Sequence, residues 1–165
     1  MSNEFDDILD ANRQFADGFS LEGLPGVAGK GVAVVTCMDS RIDPLAVLGL
    51  QVGDVKVVRN PGGRITDNAM EALVLAVHLL EVERILVVQH TRCAMSSSTL
   101  EEVRRRVGES AGQDVAWQEF GMVTDQEATL RDDVHKVRAH PLIPDTVAVG
   151  GFVYDVDTGR LNRLA

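Results

Sequence analysis

The chain is short of cysteine, aromatic residues and positive charge. Two cysteines, one tryptophan and one tyrosine occur in 165 residues, and aromatic side chains make up 4% of the total. So few cysteines cannot form a disulfide scaffold; in a reducing compartment they read as buried free thiols, metal ligands or a nucleophile. Lysine and arginine number 16 against 25 aspartates and glutamates, for a formal charge of −9. That imbalance excludes nucleic acid and anionic membrane as partners, since both attract basic surfaces. It leaves a small neutral substrate open. No apolar run approaches the roughly 18 residues needed to span a bilayer. The opening stretch "MSNEFDDILDANRQF" is acidic and lacks the basic-then-apolar order of a secretory leader, so the expected location is the cytoplasm.

What is present is a hydrophobic fraction of 45% with 25% charged residues, enough to bury the core of one globular domain. No repeat, low-complexity tract or interdomain linker interrupts it. Phe5, Ile8, Leu9, Asn12, Phe15, Ala16 and Phe19 share one helical face, and "GLPGVAGK" then breaks the helix with glycine and proline. Residues 1–30 therefore read as an amphipathic helical arm with its connector, and residues 31–165 as an α/β domain. The arm has the form of a segment that packs on its own core or on a partner subunit.

In the domain, "GVAVVTCMD" (31–39) is a β-branched apolar run ending in polar residues, as expected of a strand buried on both faces. "DVKVVRN" (54–60) and "ERILVVQH" (83–90) read as two more strands. Apolar spacing behind a Thr or Asp cap predicts a helix over 66–82. Further helices are expected near 97–110 and 124–138, and residues 145–161 as a strand followed by a turn at Asp157-Thr158-Gly159. Strands alternating with helices imply a parallel sheet flanked by helices, of probable order 2-1-3-4. Ligands in such sheets bind beyond the carboxyl ends of the strands, at the point where the order reverses.

That rule directs attention to "TCMDSR" (36–41) and "QHTRCAM" (89–95). Cys37, Asp39 and Arg41 alternate, so an extended backbone would point all three side chains the same way. His90 and Cys93 have i, i+3 spacing at a strand end entering a helix. Two thiolates and an imidazole are soft-to-borderline ligands suited to zinc, and three protein ligands with one open position describe a catalytic rather than a structural site. Taken singly, each residue has an ordinary reading as a small buried hydrophobe or a satisfied structural histidine. A Cys37–Cys93 disulfide is a third reading of the pair.

"CMDSR" followed by "HTRC" resembles the β-class carbonic anhydrases, a zinc family with the signatures Cys-x-Asp-x-Arg and His-x-x-Cys. "VVRNPGGRITDNAMEAL" and "GGFVYDVDTGRL" extend the resemblance over about residues 31 to 161, in the compact bacterial branch of the family. The resemblance implies one Zn2+ per subunit on Cys37, His90 and Cys93, with Asp39 and Arg41 as a catalytic dyad. In the family's open arrangement Arg41 would hold Asp39 off the metal. In its closed one Asp39 would become the fourth ligand. It further implies reversible hydration of carbon dioxide to bicarbonate and a proton by metal-bound hydroxide. Two alternatives stand beside it: hydrolysis of carbonyl sulfide or carbon disulfide at the same metal, and a non-catalytic zinc-stabilised binding or sensing domain. The implied assembly is a homodimer or higher homo-oligomer with the arm laid across the neighbour.

Four positions depart from the family's usual text. Ala94 follows Cys93 where Gly is common, and its methyl is expected to crowd a turn beside the metal. Pro61 follows Arg59-Asn60 in place of Ala, removing a backbone donor. Gln89 and Arg92 replace a second His and an Asp. His78, His135 and His140 read as structural or surface residues, "EEVRRRV" as a solvated helix face, and Trp117 as packing. "NPGGR" lacks both dinucleotide and Walker spacing, which rejects a nucleotide loop.

Overall fold

The computed structural model describes residues 4–165; the first three residues of the expected arm lie outside them. The sheet has five strands in the order β2-β1-β3-β4-β5. These are β1 (Val32–Cys37), β2 (Val55–Asn60), β3 (Arg84–His90), β4 (Ala148–Tyr154) and β5 (Leu161–Arg163). The first four are mutually parallel, and β5 returns antiparallel to β4 across the Asp157-Thr158-Gly159 turn. The expected order 2-1-3-4 holds. β5 is an addition, because three half-exposed residues carry no apolar alternation to read.

Every residue of β1 is buried, which accounts for its unbroken apolar text: it has neighbours on both edges and cover on both faces. The main cover is α3 (Asp67–Leu79), capped by the Thr66 hydroxyl accepting from the Ala69 amide, and α6 (Gln126–Arg138), capped by Asp125. Leu73 of α3 and Leu130, Val134 and Val137 of α6 meet Val35 and Val87 of the sheet in one core.

The remaining helices are α1 (Asp6–Asp17), α2 (Pro44–Leu48), α4 (Ala94–Ser97) and α5 (Leu100–Ala111). α2 and α4 are too short for periodicity to register. α2 nonetheless carries complete punctuation, with Asp43 as N-cap, Pro44 at its first position and Gly49 in the left-handed conformation at its end. α5 bears "EEVRRRV" on a partly solvated surface, where Arg104 pairs with Glu119 and Arg105 with Glu109. Among the described residues no helix is long and apolar enough to cross a membrane.

Candidate active site

Because β1 and β3 are neighbours in register, Thr36 lying beside Val88, their carboxyl ends deliver side chains to one place. Cys37 is the last residue of β1, His90 the last of β3, and Cys93 follows at the start of α4. The two sulfurs are 4.0 Å apart. The three potential ligand atoms of Cys37, His90 and Cys93 all lie within 4.8 Å of one another, and all three residues are buried.

The protonation pattern suits a metal. The Nδ1–H of His90 donates to its neighbour's carbonyl, Thr91 O, at 2.8 Å. This leaves Nε2 buried and without a protein partner. A bare imidazole nitrogen beside two sulfurs, with its other nitrogen fixed by a carbonyl, is the donor set and the outer support that zinc takes. The Cys37 thiol is pushed down by its contact with the Cys93 thiol, against the opposing effect of burial; His90 and the backbone at Asp39 and Gly62 add to the lowering. Cys93 is pushed up by the same contact, with burial adding to it. Burial opposes a charge on His90 and the facing Cys37 thiolate favours it; the balance is upward. A metal competes for this same lone pair and thiolate, releasing protons as it binds.

Asp39 and Arg41 stand beside this cluster. The expected extended arrangement is not found: β1 ends at Cys37 and the chain turns, with the Ile42 amide donating to Asp39 O at 3.1 Å. The two side chains meet through the turn. Arg41 Nε donates to Asp39 Oδ1 at 2.9 Å and Nη2 to Oδ2 at 2.7 Å, while the Arg41 amide adds 2.9 Å to Oδ1. This fork holds the Asp39 carboxyl well below the usual carboxylate range. Asp39 Oδ2 is 3.8 Å from His90 Nε2. The fork is intact, with the Asp39 carboxylate facing Arg41.

Several supporting residues were not singled out from sequence. Arg59 donates to the carbonyls of Cys37 and Asp39 at 2.9 and 2.6 Å. Gln126 of α6 donates to His90 O at 2.9 Å. Behind Cys37 lies a 3-10 turn, Pro61–Gly63, whose Gly62 amide donates to Cys37 Sγ at 3.3 Å. At Gly63 (φ +64) a Cβ would lie 2.7 Å from Val88 O and 3.0 Å from Cys37 N, so only glycine lets the turn come this close. The legible signal was "PGG" directly after a strand.

The departures prove mild. Pro61 opens the 3-10 turn, a position whose amide has no internal partner. Ala94 is the first residue of α4 and exposed, so the expected crowding is not found. Arg92 is left-handed (φ 54); its side chain pairs with Asp157 at 3.2 Å and its carbonyl accepts from Arg41 at 3.3 Å. Gln89 is buried, and its amide has no protein partner. The other histidines stand apart: His78 donates from Nε2 to Leu142 O, while His135 is exposed and His140 half-buried. Trp117, expected to pack, is 74% exposed.

Residues 32–161 match the carbonic anhydrase family model. The chain belongs to the carbonic anhydrase family. It is 31% identical over 159 residues to beta-carbonic anhydrase 1 of Mycobacterium tuberculosis, which covers 96% of each chain. It is 30% identical over 184 residues to a carbon disulfide hydrolase of Acidianus sp., covering 95% of this chain and 89% of the relative. Among solved structures, a carbonic anhydrase from Streptococcus mutans superposes with a TM-score of 0.90 at 35% identity, covering 100% of this chain and 99% of the other. The resemblance to the β class is thereby borne out, as is the α/β fold. The chain is an enzyme of this family rather than a zinc-stabilised binding module.

Proposed function

We propose that this enzyme interconverts carbon dioxide and bicarbonate, with zinc held by Cys37, His90 and Cys93. The observation that carries the reading is the buried trio of donor atoms within 4.8 Å of one another, set beside an ionised carboxylate. Zinc supplies the Lewis acidity that makes water a nucleophile at accessible pH.

The chain's own residues do the rest. Asp39, held ionised by Arg41, is too weak a base to keep a proton. Its role is therefore to accept a hydrogen bond from the attacking water and orient it. Arg41 keeps that carboxylate at the edge of the donor cluster rather than inside it. Ile42, Met95 and Tyr154 pack around the two cysteines and offer an apolar wall to an uncharged linear gas. In balance, carbon dioxide and water give bicarbonate and one proton, and that proton leaves to solvent buffer because Asp39 does not retain it.

Carbon disulfide or carbonyl sulfide hydrolysis is the second reading, favoured by the likeness to the Acidianus carbon disulfide hydrolase. Both substrates are linear and apolar, and the same trio serves either. The free cysteines fit a reducing compartment, the cytoplasm. We read the assembly as a homodimer exchanging arms. Supporting this, α1 has no buried residue, and Phe5, Ile8, Leu9, Phe15 and Phe19 are each 43–62% exposed.

The test is elemental analysis of the purified protein, with stopped-flow hydration and sulfide-release assays run in parallel. One zinc per chain is expected, lost in Cys37→Ser, His90→Ala and Cys93→Ser together with at least about a thousandfold of hydration rate. A native protein that neither contains nor takes up zinc would sink the reading. Sulfide release without hydration would move it to the second substrate class.

A further inference from the structure

Asp133 of α6 is fully buried, yet no part of the proposed reaction uses it. Its carboxylate collects four donors. Oδ2 accepts from Arg64 Nε at 2.6 Å and the Ile65 amide at 3.2 Å, while Oδ1 accepts from Arg64 Nη2 at 3.3 Å and Lys136 Nζ at 3.1 Å. α6 does not need this charge to dock, because Leu130, Val134 and Val137 already bury it against the sheet. A buried ion pair is often no better for stability than apolar packing of the same shape, so its use is more readily sought in what it holds in place.

It holds the segment carrying Gly62. Asn60 closes the neck of that loop, accepting from the Arg64 amide at 2.8 Å and donating to Arg64 O at 2.7 Å. Asp133 then ties Arg64 and Ile65 to α6. Between these two anchors the Gly62 amide donates to Cys37 Sγ at 3.3 Å. The turn itself cannot hold that place alone, since Gly62 and Gly63 both have positive φ and no side chain to pack.

We infer that Asp133 and Arg64 are positioning residues for the metal site, fixing the Asn60–Arg64 loop so that Gly62 N–H stays on the Cys37 sulfur. This rests on the reading of Cys37 as a zinc ligand. The Gly62 N–H fixes where the Cys37 sulfur sits and how its lone pairs point, as an outer-shell partner does for the ligand it supports. Loss of the anchor frees the loop, weakens that bond and lowers the affinity.

The experiment uses the full-length protein, wild type and the variants Arg64→Met and Asp133→Asn. Zinc dissociation constants come from competition with a chromophoric chelator at one neutral pH, and the thiolate-to-metal charge-transfer band from the cobalt-substituted proteins. Zinc binding about tenfold weaker is expected in either variant, the usual scale for loss of an outer-shell partner, together with a displaced cobalt–thiolate band. Arg64→Lys should recover part of the affinity. Val137→Ala, which loosens the α6 core without touching the loop, should leave zinc affinity at the wild-type value. Should Asp133→Asn fail to fold, Arg64→Met decides alone, because Asp133 retains Lys136 and the Ile65 amide. Zinc affinity and cobalt spectrum unchanged in folded variants would overturn the inference while leaving the proposed function intact. A wild-type protein that takes up no zinc would overturn the ligand assignment itself.

Discussion

The amino-terminal helix and the ends of β1 and β3 use the same kinds of residue in opposite ways. α1 and its flanking residues Phe5 and Phe19 carry five large apolar side chains, of which Phe15 and Phe19 touch as an aromatic pair, with ring centroids 5.8 Å apart; the helix buries nothing. At the strand ends, polar and reactive groups are enclosed instead: Thr36, Gln89 and His90 are each no more than 1% exposed, and the cysteines 4%. The arm thus has exposed hydrophobic surface, and the site has a buried imidazole nitrogen, His90 Nε2, with no hydrogen-bond partner. The arm offers an apolar stripe of the kind a second copy would cover, and the site offers soft donor atoms of the kind a metal would take.

The largest effect that would break this comparison comes from deleting residues 1–20. Burying five such side chains at roughly 1.5–3 kcal/mol each gives a gross gain near 10 kcal/mol, much of it offset by ordering entropy. Sedimentation is expected to show the dimer dissociation constant rising at least about a hundredfold. Zinc content should stay at one per chain. A truncated chain that remains dimeric at low micromolar concentration would remove the arm's role.

Paired substitutions sharpen the contrast. Leu73→Ala, in the core, should cost about 3 kcal/mol in denaturant unfolding. Ile8→Ala should move the unfolding of the dissociated chain by less than about 0.5 kcal/mol and weaken association instead. Equal costs at the two positions would mean that α1 docks on its own subunit.

Asp39→Asn tests the polar side of the comparison. Hydration is expected to fall about a hundredfold, since an orienting carboxylate is lost beside the reacting water. The folded-state pKa of Asp39 is depressed by Arg41. Its contribution to stability is therefore complete above the unfolded value of about 3.9 and is lost as pH falls through the lower folded value. The stability gap between wild type and Asp39→Asn should stay constant from neutral pH to about pH 5 and close below about pH 4. A gap that changes between pH 5 and 7 would assign the titration to another group. The smallest effect belongs to Ala94→Gly: with the methyl exposed, hydration should stay within about twofold of wild type.

The sequence by itself determined the four parallel strands, α3, α6 and the five candidate residues at the site. Long apolar runs and capped periodic helices have a local cause, and the two signatures, Cys37-Met38-Asp39-Ser40-Arg41 and His90-Thr91-Arg92-Cys93, are contiguous in the chain. It did not determine how Asp39 reaches Arg41. Alternation suggests an extended strand, but a turn after Cys37 brings the pair together. Nor could sequence single out Asp133, which reads as one more acid on a charged helix until α6 is laid over the sheet. Only the tertiary structure sets it at zero exposure against Arg64, 69 positions away in the chain. A carboxylate's environment is made by residues that are remote in sequence, whereas a helix cap or a buried strand is made by residues close at hand. That is why the fold and the candidate trio were legible, and why the anchoring of the loop behind Cys37 was not.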